Sequence, residues 1–147
     1  MGKALEMHGR DHRPGGADPY IHGSEHRPGG LDPIGESVNV NRHLSTGTSA
    51  DSTIVKTTAG TVHGWYISNT NASVRYVKLY NKASSPAVGT DTPFMTIPIP
   101  GGAAANVEFA NGIDFTTGIG FGITTAVADA SSAAVAANEI VINLLYL

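Results

Sequence analysis

One segment of this chain says nearly the same thing twice, and that repetition constrains it more than any other feature. Residues 8–20 read HGRDHRPGGADPY and residues 22–34 read HGSEHRPGGLDPI. Arg13-Pro14-Gly15-Gly16 returns as Arg27-Pro28-Gly29-Gly30, and Asp18-Pro19 as Asp32-Pro33. Each Pro fixes its own φ and drives the residue before it toward extended backbone. Each Gly pair admits positive φ, and so a sharp turn after Arg-Pro. These residue types exclude a helix from residue 9 to residue 35. The apolar anchors, Tyr20 with Ile21 and Leu31 with Ile34, are too few to make a core. Such an arm is expected to be disordered alone and to order only against another surface. The repeat reads as two equivalent contacts made by an extended, non-regular N-terminal arm over residues 1–35.

Residues 36–52 are polar and read as a linker, with a short alternation at Val38 and Val40. From residue 53 the pattern changes to period two. The spacing predicts strands over 54–56, 61–68 and 74–80, with the Asn69-Thr70-Asn71-Ala72 turn joining the last two as a hairpin. Val77 and Leu79 are expected inward, with Tyr76, Lys78 and Tyr80 on the opposite face. Three prolines mark 92–100 as an edge strand. Asn111-Gly112 signals a turn before Ile113. Ile119, Phe121 and Ile123 alternate with Gly120 and Gly122, which places three apolar side chains on one face and leaves the other open to close backbone approach. Residues 129–138 read as a small-residue loop or at most one helical turn. Residues 139–147 are apolar on both faces, as in a central strand or one set against another subunit. Seven or eight short strands between turn signals give an all-β, jelly-roll-like β-sandwich over 53–147.

Composition narrows the partners. Charged residues make up 14% of 147 residues, well below the roughly 25% of average usage, and the domain surface is expected to be partly covered by neighbours. A formal net charge of -3 argues against a nucleic-acid partner, which would call for a basic face. With no cysteine, no thiolate metal site or disulfide framework is available. No apolar run approaches the ~18 residues of a membrane span. The opening MGKALEMHGR lacks the apolar core of a signal peptide, and Glu6 stands where a myristoylation motif wants Ser or Thr.

The stretches RYVKLYNK, VGTDTPFMTIPIP and GIDFTTGIGFGIT, with the arm segments DHRPGGADP and EHRPGGLDP, resemble virion structural proteins of tailed bacteriophages. The resemblance runs from His8 to Leu147. It implies a capsid decoration protein, a head fibre or a tail protein, often homotrimeric, located in the virion and assembled in the host cytoplasm. The length suits a short decoration or adaptor protein. The expected partners are the major capsid protein or a tail protein of the same particle, and further copies of the chain.

Candidate sites follow from chemistry. Arg13 and Arg27 can grip a neighbour's carboxylate in fork geometry, or tie back to Asp18 and Asp32 within their own turns. Together with Tyr20 and Ile34 they are the expected docking contacts. Ile140, Ile142, Leu144, Leu145 and Leu147 are the expected subunit interface. His12 and His26 would ligate a metal only if a threefold axis gathered them into a ring, because the arm cannot present His-x3-His on a helix; structural hydrogen bonding is the stronger reading, and no cofactor is expected. Trp65 and Tyr66 are candidates for stacking on a glycan, with core and subunit contacts as the plainer role. No Gly-x-Ser-x-Gly elbow occurs, and no carboxylate pair stands out for glycosidase work. The chain is expected not to be an enzyme but a decoration or stapling protein. The alternative is a tail-associated adsorption protein that binds a host surface glycan.

Overall fold

Period-two alternation is carried out by eight strands: β1 Asn39–Leu44, β2 Thr53–Lys56, β3 Gly60–Asn69, β4 Arg75–Asn81, β5 Met95–Ile99, β6 Ala104–Phe115, β7 Ile119–Thr124 and β8 Ile140–Tyr146. The structure is a computed structural model and describes residues 37–147. One sheet has the order β1-β8-β3-β6 and the other β2-β7-β4-β5, with every neighbouring pair antiparallel. Every connection except β4 to β5 crosses from one sheet to the other. This is the eight-stranded jelly roll. Between the sheets lie Trp65, Val77, Leu79, Phe121 and Ile142, packed with Ile119, Ile123, Ile140 and Leu144.

Several expectations are met. Val77 and Leu79 face inward, Ile119, Phe121 and Ile123 are fully buried, and β5, which carries Pro98, lies at a sheet edge. Four others need correction. The stretch 36–52 is not a linker throughout, because β1 pairs with β8 from Val141↔Leu44 to Tyr146↔Asn39. The turn after Asn69 does not close a hairpin, since β3 and β4 belong to different sheets. Asn69 explains why. Its Nδ2 donates to the carbonyls of Ser73, Ile99 and Pro100 at 2.9, 3.1 and 3.1 Å, and its Oδ1 accepts from Asn71 N at 2.9 Å. That side chain clamps a crossover between the sheets, so the turn chemistry is right and the partner strand is different.

The Asn111-Gly112 signal produces a bulge inside β6 and not a break: the register runs from Val62↔Ile113 to Gly64↔Glu108, with Gly112 at φ +75°. Residues 129–138 form the expected small-residue loop. They fold back over the second sheet, bridging Thr124 through Ala134.

That fold-back is why Lys78 and Tyr80, expected on an outward face, are buried. Lys78 Nζ donates to the carbonyls of Ala128 and Ser131, and desolvation lowers its pKa against the opposing pull of Asp129. The glycines complete the seal. A Cβ on Gly120 would lie 2.9 Å from Pro86 Cγ, and one on Gly122 2.4 Å from Val88 Cγ2. The loop 82–94 therefore seats directly on β7.

Two consequences are measurable. Asn69→Ala strips a donor from three carbonyls, and the expected loss is about 3 kcal/mol in urea unfolding; a loss below about 1 kcal/mol would contradict the clamp. Tyr80 Oη is buried without a partner, and burial, followed by Asp91 and Asp129, pushes its pKa up to about 12. The raised value means that its contribution is intact below pH ~10 and is lost as pH rises toward about 12. Tyr80→Phe is expected to be neutral or stabilising at pH 7 and to flatten that alkaline decline. Parallel declines in the two proteins would contradict this.

Candidate functional site

Loops cover the outer face of the second sheet, so the open face belongs to the first. Strand alternation selects its residues. Register aligns Arg42, Asn143, Tyr66 and Asn106 in one row, and Val40, Leu145, Gly64 and Glu108 in the next. Val40 is 58% exposed and Tyr66 41%. Arg42 on β1 and Glu108 on β6 are the charged side chains in these rows, one at each edge. Gly64 carries no side chain, and beside this gap the Tyr66 hydroxyl donates diagonally to Glu108 Oε1. That hydrogen bond raises the phenol's pKa, with burial and the carboxylate's charge adding to it. The face is chemically quiet: aliphatic and amide groups, one ring, and a charge at either side.

The two aromatic candidates separate. Trp65 is 6% exposed and meets Phe109 edge-on, with centroids 5.4 Å apart. Adjacent strand residues point to opposite faces, so the indole belongs to the core and cannot stack on a glycan, while the Tyr66 ring remains accessible. The expected subunit interface also changes. Ile140, Ile142 and Leu144 are at most 1% exposed, because β8 lies between β1 and β3 with those side chains turned inward. They hold the two sheets together and are unavailable to a neighbour. Leu145 and Leu147 remain partly exposed. The docking residues Arg13, Asp18, Tyr20, Arg27, Asp32 and Ile34, and the histidines His12 and His26, lie outside the described residues.

One polar constellation escaped the sequence reading. Ser49, Ala50 and Asp51 have φ of 49°, 51° and 50°, a left-handed turn that non-glycine residues adopt only under strong constraint. Asp51 supplies it. Its Oδ1 accepts from Thr46 N at 2.7 Å and Thr46 Oγ1 at 2.8 Å, and lies 3.1 Å from His43 Nε2. His43 in turn meets the Phe121 ring edge-on at 5.3 Å. The pair resembles half of a triad, but two serines near it in sequence, Ser45 and Ser52, are otherwise engaged, Ser52 Oγ by donating to Pro86 O. Ser45 Oγ donates to Ala136 O and accepts from the N–H groups of Glu139 and Ile140. His43 and Asp51 thus act as a corner clamp. No periodic pattern marks such a contact, since it depends on a turn meeting a strand edge.

Among the described residues, no three His, Asp or Glu side chains gather as a metal site. A shallow depression of about 360 Å³ lined by Gly60, Thr61, Asp114 and Phe115 carries one carboxylate, already bonded by Thr61 Oγ1 at 3.1 Å. Compared with protein families, curated proteins and solved structures, the chain matches none.

The face assignment has a direct test. Trp65→Ala is expected to destabilise by about 3–5 kcal/mol, and Tyr66→Ala by less than about 1 kcal/mol, in chemical unfolding of the two variants. Equal losses would overturn the assignment of the two rings to opposite faces.

Proposed function

We propose that this chain is a structural, non-enzymatic component of a tailed-phage particle, a decoration protein that docks through residues 8–34 and displays its jelly roll. The observation that carries this reading is the pairing of a duplicated HxxxHRPGGxDP segment with an eight-stranded jelly roll, an architecture common in viral capsid domains.

The mechanism is a staple. Ordering an extended arm costs conformational entropy, and a single foothold recovers little of it. Two equivalent footholds make the second contact intramolecular and raise avidity without new chemistry. Arg13 with Asp18, and Arg27 with Asp32, give each foothold a charged fork and a counter-charge. Tyr20 and Ile34 give each an apolar anchor. The glycan-binding alternative loses Trp65 to the core and retains Tyr66.

Removing residues 1–36 is expected to leave a folded domain that no longer binds purified particles in co-sedimentation. Arg27→Ala alone is expected to weaken binding about 100-fold or more, as a bivalent contact becomes monovalent. Undiminished binding by the truncated chain would overturn the proposal.

A further inference from the structure

Sheet edges present unpaired N–H and C=O groups, and proteins protect them with short strands, prolines, lysines or bulges. Three of the four edges here are so treated. β2 has four residues, a register shift and Lys56. β5 has five residues, including Pro98. β1 has six residues and carries Arg42. β6 differs. It runs for 12 residues, AANVEFANGIDF, with no Pro, Lys or Arg; its bulge falls at 109–112, after a regular first half, 104–108, that pairs on one side with β3.

The free side of β6 can be assigned atom by atom. Asn69 N donates to Ala103 O at 2.9 Å, so that pair is hydrogen-bonded, and antiparallel alternation makes Ile67↔Ala105 and Trp65↔Val107 hydrogen-bonded too. The backbone groups of Ala104, Asn106 and Glu108 therefore point away from β3, toward the open edge. Among the described residues nothing takes them up.

We propose that this edge pairs with β6 of a second copy, antiparallel and about a two-fold axis at Val107. Side-chain chemistry selects that register. It sets Asn106 opposite the partner's Glu108, and Ala105 opposite the partner's Phe109. The Asn106 Oδ1 already accepts from Ile67 N at 3.2 Å, which leaves its amide N–H₂ to donate to the facing carboxylate. Moving the axis to residue 108 would set the two Glu108 carboxylates against each other, which is unfavourable. Moving it to residue 106 would leave each Glu108 facing an alanine. A one-residue slip would set Asn106 opposite Val107, whose own backbone groups are already turned to β3, and no ladder would form. Such a contact is isologous, with the same strand serving both sides, and it joins two four-stranded sheets into one of eight. It supplies the self-association that the inward-facing residues of β8 cannot. It is independent of whether the chain serves in a particle.

The chain has no cysteine, which makes the test clean. On the axis, the two Val107 residues form a non-hydrogen-bonded pair with Cα atoms about 4.5 Å apart, within disulfide range. Under mild oxidation full-length Val107→Cys is expected to run as a covalent dimer on a non-reducing gel, and Ser68→Cys, exposed on the neighbouring strand, to remain monomeric. Sedimentation equilibrium of the unaltered chain across micromolar concentrations is expected to give a two-chain mass. Asn106→Pro, which removes an outward N–H, is expected to give a one-chain mass with an unchanged far-ultraviolet spectrum. A monomeric or trimeric mass for the unaltered chain, or cross-linking of Val107→Cys no better than that of Ser68→Cys, would overturn the proposal.

Discussion

A jelly roll that changes sheets at nearly every connection depends on its corners, and here buried polar side chains hold them. Ser45, Asp51, Asn69 and Glu139 are each at most 5% exposed, and each sits where the chain leaves or enters a strand. Ser45 Oγ joins the end of β1 to the start of β8. Glu139 binds Arg75 Nε with one oxygen and Ala136 N with the other, while its carbonyl accepts from Thr70. Asn69 and Asp51 close the remaining two corners. Apolar burial would collapse these strands in many arrangements; buried donors and acceptors that call for partners permit few. The corners thus select the topology that the hydrophobic core stabilises.

The same economy makes the two sheets unequal. Gly120 and Gly122 let a loop lie flat on the second sheet, and Lys78 reaches into carbonyls of the 125–138 segment, so that face is closed. The first sheet has no such cover among the described residues. Its outer face is charge-poor, and among the described residues nothing pairs with the outer side of the regular half of β6, 104–108. Among the described residues, the uncovered surfaces of this domain therefore converge on one side.

Much of the fold was legible in the sequence because period two reports directly on burial. The all-β class, the jelly-roll type, the apolar face of β7 and the edge position of β5 all follow from alternation, glycine and proline. Pairing was less legible. Turn residues such as Asn69-Thr70-Asn71 mark a change of direction, but not which sheet the chain enters next, and a hairpin and a sheet crossover share that chemistry. Alternation puts Lys78 and Tyr80 together on one face, yet the segment that covers Lys78 is made of alanines and serines with no periodic signal. For the site, strand alternation already separates Trp65 from Tyr66 and turns Ile140, Ile142 and Leu144 away from Leu145. The His43–Asp51 clamp was illegible because a left-handed turn of Ser, Ala and Asp is held by tertiary contacts and not by local preference.

In the proposed role, the repeated arm fastens a jelly roll to a particle lattice in many copies. Counting copies per purified virion, by quantitative gel densitometry against the major capsid protein, tests it most directly. The expected result is a simple fraction of the capsid copy number. A handful of copies per particle would contradict it and move the chain to a tail or a single vertex.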